Sequence, residues 1–294
     1  MDGELPKKRI LVAGGTGQLG RLVVSGLLES GARVRTLSRR AEETALSLRA
    51  RGVDVRLADA TDSTYLAGVC DGVDVVCSCL GASVSMASRE RRGFSQIDLV
   101  ANQNLLAEAR RAGVRRFVYV GAFVGNGWSH TAYSRAHEAF AEALKQSGLP
   151  YAVVRPTALF SVFAEMMHTA RRAPLPLIGS GEARTNPIHD ADVAALCLEA
   201  IRSPVPALEI DCGGEEILTR RALMEACFTV LGKKPWLLPV PKALMAGAAR
   251  LAGLFNPRLG ELLAFAAAVS THECIAPARG RHRLADYLRE RAAA

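Results

Sequence analysis

An α/β fold, a doubly wound parallel sheet with a smaller C-terminal lobe, is predicted by three observations on the amino-acid sequence. Short β-rich runs alternate with longer helical patterns through the first 156 residues; those runs are continuous in Val, Ile and Leu; and after Pro156 the rhythm stops. Parallel strands covered by helices on both faces need continuous apolar runs, whereas a sheet with one wet face alternates apolar with polar. A length of 294 residues suits one large domain or a domain with a modest second lobe. Hydrophobic residues at 49% and charged residues at 22% are ordinary globular usage, which excludes a disordered or collagen-like chain.

The elements follow in order. Strands are expected at 9–13, 33–37, 53–58, 73–78, 116–120 and 151–155, where β-branched residues cluster. Helices are expected at 18–30, 41–51, 63–70, 88–112 and 130–147, each with apolar residues at i, i+3 and i+4. Past residue 156, Pro recurs at 174, 176, 187, 204 and 206 and in the segment 235–257, and the expected elements become irregular. Helices are read at 162–171, 191–202, 221–231, 242–254 and 258–269, with short strands near 208–211 and 236–239. The chain thus divides into a sheet domain over 1–156 and a smaller, mainly helical lobe over 157–294, which reads as the substrate lobe.

The first strand runs directly into Ala13-Gly14-Gly15-Thr16-Gly17-Gln18-Leu19-Gly20, and the first helix begins inside that run. A tight strand-to-helix turn that must bring backbone close to a diphosphate needs glycine, and the helix N-terminus supplies free N–H groups and a favourable dipole. Because the run follows a strand, opens a helix and begins a βαβ unit, it predicts a Rossmann-type dinucleotide site lined by Gly14 through Gly20. Gly15 and Gly17 are expected to be bare so that the diphosphate can approach. The second strand ends at Arg39-Arg40, with no acid to bind a ribose 2′-hydroxyl. A guanidinium pairs with phosphate oxygens, so NADP(H) is the preferred cofactor, with NAD(H) as the alternative. Asp59, next to Ala60 at the end of the third strand, is placed to reach the adenine edge or to serve as a turn residue before Asp62, a helix cap.

Charge and cysteine usage narrow the partners. The net charge of +8, mostly from Arg, favours anionic ligands. The Arg residues are scattered among acids and aromatics are only 5%, so nucleic acid is not expected. Seven Cys with no Cys-x-x-Cys pattern and no His at ligand spacing indicate neither a disulfide framework nor a metal site. The first ten residues carry charges of both signs without an apolar stretch, so a cytoplasmic chain is expected. No integral membrane span is expected either. The stretch 243–270 is interrupted by Arg250, Asn256-Pro257-Arg258 and Glu261, which suits packed or interfacial helices and leaves peripheral membrane contact open.

Four runs together resemble a known family. They are the glycine run; Tyr133-Ser134-Arg135-Ala136-His137-Glu138; Ser147-Gly148-Leu149-Pro150-Tyr151-Ala152-Val153-Val154-Arg155-Pro156-Thr157; and Asn186-Pro187-Ile188-His189-Asp190-Ala191-Asp192-Val193-Ala194. The combination is similar to the atypical short-chain dehydrogenase/reductases, in the NmrA-like, NAD(P)H-binding branch that includes isoflavone-type and divinyl chlorophyllide reductases. The likeness extends to about residue 240. In that superfamily a Ser after the fifth strand, a Tyr on the next helix and a Lys four residues later form the reductase site. Carried over by position, the Tyr is Tyr133, but Gly121 stands at the Ser position and His137 at the Lys position.

Tyr133 and His137, four apart on a helix, share a face. If that face lines the cleft, Tyr133 donates a proton to a developing oxyanion, while His137 holds the nicotinamide ribose and, when charged, favours ionisation of the phenol. The resemblance also places Cys79, Leu80 and Gly81 over the nicotinamide ribose, Gly121 beside the cofactor, and Pro156 and Thr157 against the nicotinamide ring through their backbone. Cys79 itself reads as an ordinary core thiol, and His189 as structural, followed by Asp190 as the cap of the next helix. Phe123, Trp128, Phe160, Phe163 and Met167 are expected to contact a small hydrophobic substrate. The reading that results is an NADPH-dependent oxidoreductase transferring hydride to an unsaturated or carbonyl-bearing molecule. Its alternative is a non-catalytic NADP(H)-binding redox sensor or an assembly or accessory factor.

Overall fold

The apolar runs become strands at the centre of the molecule in a computed structural model that describes residues 8–39, 43–84, 91–125 and 127–293. The first half alternates as β1 (Arg9–Ala13), α1 (Gln18–Glu29), β2 (Arg33–Ser38), α2 (Glu43–Ala50), β3 (Asp54–Leu57), β4 (Val75–Ser78), α3 (Val100–Arg111), β5 (Arg116–Val120), α4 (Ala132–Lys145) and β6 (Tyr151–Pro156). The second half continues as α5 (Phe160–Ala170), β7 (Leu175–Ile178), β8 (Arg184–Thr185), α6 (Asp190–Arg202), β9 (Ala207–Cys212), β10 (Leu218–Thr219), α7 (Arg220–Val230), β11 (Leu237–Val240), α8 (Lys242–Phe255), α9 (Pro257–Thr271) and α10 (Leu284–Ala293).

Seven strands form one parallel sheet in the order β3-β2-β1-β4-β5-β6-β9. The chain winds outward from β1 in one direction and from β4 in the other. A crevice therefore opens above the carboxyl ends of those two strands, where open α/β sheets take ligands. Side chains alternate across β1: Ile10 and Val12 enter a core under α1 and α6, while Leu11 and Ala13 enter the core under α3 and α4. Each fully buried Leu or Ile is worth about 1.5–3 kcal/mol relative to exposure, and both layers are dense in them. A third core joins α5, α7, β7 and α10. No helix among the described residues is long and apolar enough to cross a membrane.

The sheet takes more of the chain than the boundary at residue 156 implied. β9 pairs with β6 along its whole length, and α6 packs on α1, so this part of the second half completes the sheet domain. Short segments also differ. In place of a helix over 63–70 there is one 3-10 turn, Ser63–Leu66, which Asp62 caps as expected by accepting from the Thr64 N–H at 2.9 Å. Gly68, at φ +78°, takes the chain out of helical geometry. Within 88–112, a π turn at Ser95–Leu99 precedes α3, and 88–90 lie outside the described residues. The cap of α6 is His189, whose Nδ1 accepts from the Ala191 N–H at 2.9 Å; Asp190 instead accepts from the Ser161 N–H and hydroxyl. β7 and β11 form a two-stranded ribbon, and each carries a proline, which an edge tolerates because one side needs no N–H donor.

Candidate functional site

The β1–α1 turn lies at the crevice and is shaped by its glycines. Gly14 has φ +81°, and a Cβ there would stand 2.7 Å from the Cys79 carbonyl oxygen. A Cβ on Gly20 would collide with the Gly14 backbone, so Gly20 lets α1 sit directly on the turn. Gly15 is also required by packing, since its Cβ would strike Thr36 Oγ1 on β2. Gly17 is exposed, holds the N-cap position in extended geometry and gives no side-chain cap; α1 has no acid in its first turn. The first N–H groups of the helix, around Gln18 and Leu19, thus face the crevice without a side-chain acceptor, a setting that favours an anion. Thr16 is half-buried, and the Gln18 side chain accepts from Arg21 at 2.8 Å.

Around the crevice rim, Arg39 is exposed one residue beyond β2, and Arg40 lies outside the described residues. Asp59 is fastened: it accepts from the Thr61 N–H at 3.0 Å and hydroxyl at 2.7 Å, and pairs with Arg92 at 3.1 Å. Partial burial works against its charge, but those donors prevail and hold its carboxyl below the usual carboxylate range. Ala60 is buried, and its carbonyl accepts from Asn104. Cys79 is half-buried, its N–H donates to the Ala13 carbonyl at 2.9 Å, and its thiol stays protonated beside Cys77 and under burial. Leu80 packs against the α3-side core, while Gly81 is exposed. At the far end, the Pro156 carbonyl accepts from the Phe123 N–H, the Thr157 N–H donates to the Cys212 carbonyl, and the Thr157 hydroxyl donates to Asn186. Those bonds fix the path of the turn after β6.

Beyond β5 the wall is built from side chains. Thr131 caps α4 by accepting from the Ser134 N–H, which starts the helix where Tyr133 and His137 fall on one inward face. Tyr133 is half-buried in a cage of Phe94, Trp128, Phe265 and His137, with ring centroids 4.4–6.4 Å away. Among the described residues its hydroxyl has no hydrogen-bond partner. His137 is buried, with Nδ1 2.5 Å from the Tyr119 hydroxyl and Nε2 3.4 Å from Asp98 Oδ1. Asp98 Oδ1 also accepts from the Ala82 N–H at 3.1 Å, while Oδ2 is buried without a partner. Gly121 fits beneath: a Cβ there would press the Tyr119 ring at 3.2 Å.

Burial governs the electrostatics of this wall. Burial pushes His137 down to about 4, so it is neutral near pH 7 and holds no charge with which to ionise the phenol. Burial, and then the Asp98 charge, push the Tyr133 phenol up from its ordinary value. Burial likewise raises Asp98 to about 7, against the Ala82 N–H and the Arg258 charge. Both ring nitrogens of His137 face protein groups, Tyr119 on one side and Asp98 on the other, and its ring packs beneath Tyr133.

Four of the five expected substrate contacts are core side chains. Phe160, Phe163 and Met167 fill the third core with Leu223, Phe228 and Tyr287, and Trp128 is buried against Cys274 and Ala268. Phe123 remains half-buried near the cleft. Tyr119, Asp98, Arg92 and Arg258 escaped the sequence reading. Arg258 is buried on α9 and donates to the Ser83 and Arg92 carbonyls, and Glu261 accepts from the Phe94 N–H, so α9 holds both ends of the segment after β4. Nothing local distinguishes Arg258 and Glu261 from solvated charges on a helix.

Comparison with known proteins agrees with this architecture. Residues 14–204 match the family described as NAD(P)H-binding. The chain is 28% identical over 261 residues to the divinyl chlorophyllide a 8-vinyl-reductase of Arabidopsis thaliana, covering 80% of this chain but 60% of that protein. It therefore spans less than two thirds of that relative's length. It is 28% identical over 246 residues to a ceramide reductase of Caulobacter vibrioides, covering 81% of this chain and 76% of that one. Among solved structures, the NADPH-dependent quinone oxidoreductase of Escherichia coli complexed with NADPH shares the fold with a TM-score of 0.68 at 19% identity, over 96% of this chain and 99% of that chain.

Proposed function

This chain belongs to the NAD(P)H-binding family, and from that premise we propose that it is an NADPH-dependent reductase of an apolar, unsaturated or carbonyl-bearing small molecule. The observation that carries the reading is the β1–α1 turn, where Gly14 at φ +81° opens onto a helix start with no side-chain cap at the sheet's switch point. These residues fit a dinucleotide: a cradle of backbone N–H groups that a Cβ would distort, with Arg39 beyond β2 and no acid there. The relatives named as reductases support the same reading.

When bound, the nicotinamide supplies hydride. The chain's own residues hold and orient. The N–H groups of Gln18 and Leu19 take the diphosphate, and Arg39 with Arg40 takes the 2′-phosphate and sets the preference for NADPH over NADH. Tyr133, kept protonated by burial, donates a hydrogen bond to a substrate carbonyl oxygen from inside an aromatic cage that excludes water and favours an apolar molecule. His137 is a positioning residue beneath it. Asp59, half-exposed beside Arg92, borders the adenine end. The test mixes the pure chain with NADPH and a panel of hydrophobic enones and quinones. Oxidation of NADPH is expected with at least one class, and tight binding without oxidation across the panel would reject turnover.

A second reading is an NADP(H)-binding protein without turnover, acting as a sensor or accessory factor. Gly121 and a neutral His137 at the usual Ser and Lys positions favour it. Under that reading no member of the panel is reduced, and Tyr133→Phe leaves NADPH affinity unchanged.

A further inference from the structure

Of the fourteen residues of α8, Ala249 is the buried one. Ala249 and Gly253 face α9, where Gly253 and Gly260 let the two backbones meet. On the opposite side, Leu244, Leu251 and Phe255 recur at intervals of seven and four, within about 40° on the helix circumference, and Leu254 flanks them. They are 64%, 62%, 84% and 77% exposed in the order Leu244, Leu251, Phe255, Leu254. One exposed Leu needs no explanation, but a continuous stripe marks a surface meant to be covered.

Charge identifies the cover. From 226 to 260 the sequence holds no Asp or Glu, while Lys233, Lys234, Lys242 and Arg250 are exposed. Trp236, just before β11, and Leu238, on it, are exposed in the same run. A second copy of this chain fits poorly, because a twofold contact through the stripe would bring two acid-free, basic runs together. An anionic lipid surface offers apolar depth and negative charge together.

We propose that α8 is an in-plane anchor that seats this chain on an anionic phospholipid bilayer. Leu244, Leu251, Leu254 and Phe255 enter the boundary between headgroups and acyl chains, and Arg250, about 40° from Leu254 on the helix circumference, lies against the phosphates. At about 21 Å the helix is shorter than the roughly 30 Å hydrocarbon core, so it lies flat. α9 carries Arg258 and Glu261, which hold the segment after β4, so the lipid contact is one helix away from the cleft.

The full chain is sedimented with vesicles of phosphatidylcholine alone or with about one quarter phosphatidylglycerol, at about 0.15 M salt. Binding to the anionic vesicles is expected to exceed that to neutral ones about tenfold, and the Leu251→Glu/Phe255→Glu variant should lose it by a similar factor with unchanged NADPH affinity. Leu251→Ser/Phe255→Ser replaces that variant should it misfold. Equal sedimentation of parent and variant, or none with either vesicle, overturns the proposal. A parent dimer that the variant makes monomeric, without vesicle binding, also overturns it and assigns the stripe to a second copy.

Discussion

The two walls of the cleft are made of different material. The β1–α1 wall is backbone: Gly14, Gly17 and Gly20 fix the path of the turn, and the groups aimed at the crevice are main-chain N–H. The Tyr133 wall is side chain, assembled from β5, α4, α9 and the turn before α3. Its partners are distant in sequence, eighteen residues for Tyr119 with His137 and 167 for Phe94 with Glu261. A backbone wall is written in a few neighbouring residues. A side-chain wall exists only after the long-range packing is complete, and it sets its own protonation through burial.

Substitutions in the two walls should therefore separate nucleotide binding from chemistry. The largest effect is expected from Gly20→Val, whose branched side chain meets backbone that cannot give: NADPH affinity should fall about 100-fold or more, read by calorimetry beside a circular-dichroism check of folding. Tyr133→Phe should leave NADPH affinity within about twofold yet cut turnover about 100-fold, as loss of a positioned proton donor does. Unchanged turnover would remove Tyr133 from the chemistry. Arg39→Asp should shift the NADPH-to-NADH affinity ratio by about 10- to 100-fold towards NADH, and an unchanged ratio would mean that another residue reads the 2′-phosphate.

The smallest effect is in pH dependence. Asp98, raised from 3.8 to about 7, holds its proton more tightly in the folded chain, so its contribution to stability falls as pH climbs through that range. His137, lowered from 6.5 to about 4, does the reverse, and its contribution rises between about 4 and 6.5. Relative to the parent, Asp98→Asn should gain stability and His137→Gln should lose it as pH rises across this window, each by about 1–3 kcal/mol in denaturant melts. Parallel curves for parent and variants would contradict a buried Asp98–His137 pair.

The sheet was legible because its signals are local. Val-rich runs and the glycine turn depend on nearby residues, and β1, β5 and the start of α1 fall where the sequence places them. Less was legible where context decides. β7 carries Pro176 and passes for a loop until β11 pairs with it, and α10 shows weak patterning until Leu284, Tyr287 and Leu288 enter the third core. At the site, the shared face of Tyr133 and His137 follows from helical spacing alone. Their burial does not, and burial favours the neutral form of His137. Phe160, Phe163 and Met167 show the same limit, since an apolar run specifies hydrophobic cover equally for a ligand and for a core.

Titrating the purified chain with NADPH in a calorimeter asks most directly whether the bare helix start beyond Gly14 grips a dinucleotide. One exothermic site per chain, tighter for NADPH than for NADH, is the expected result. No heat with either nucleotide would contradict the account at its root.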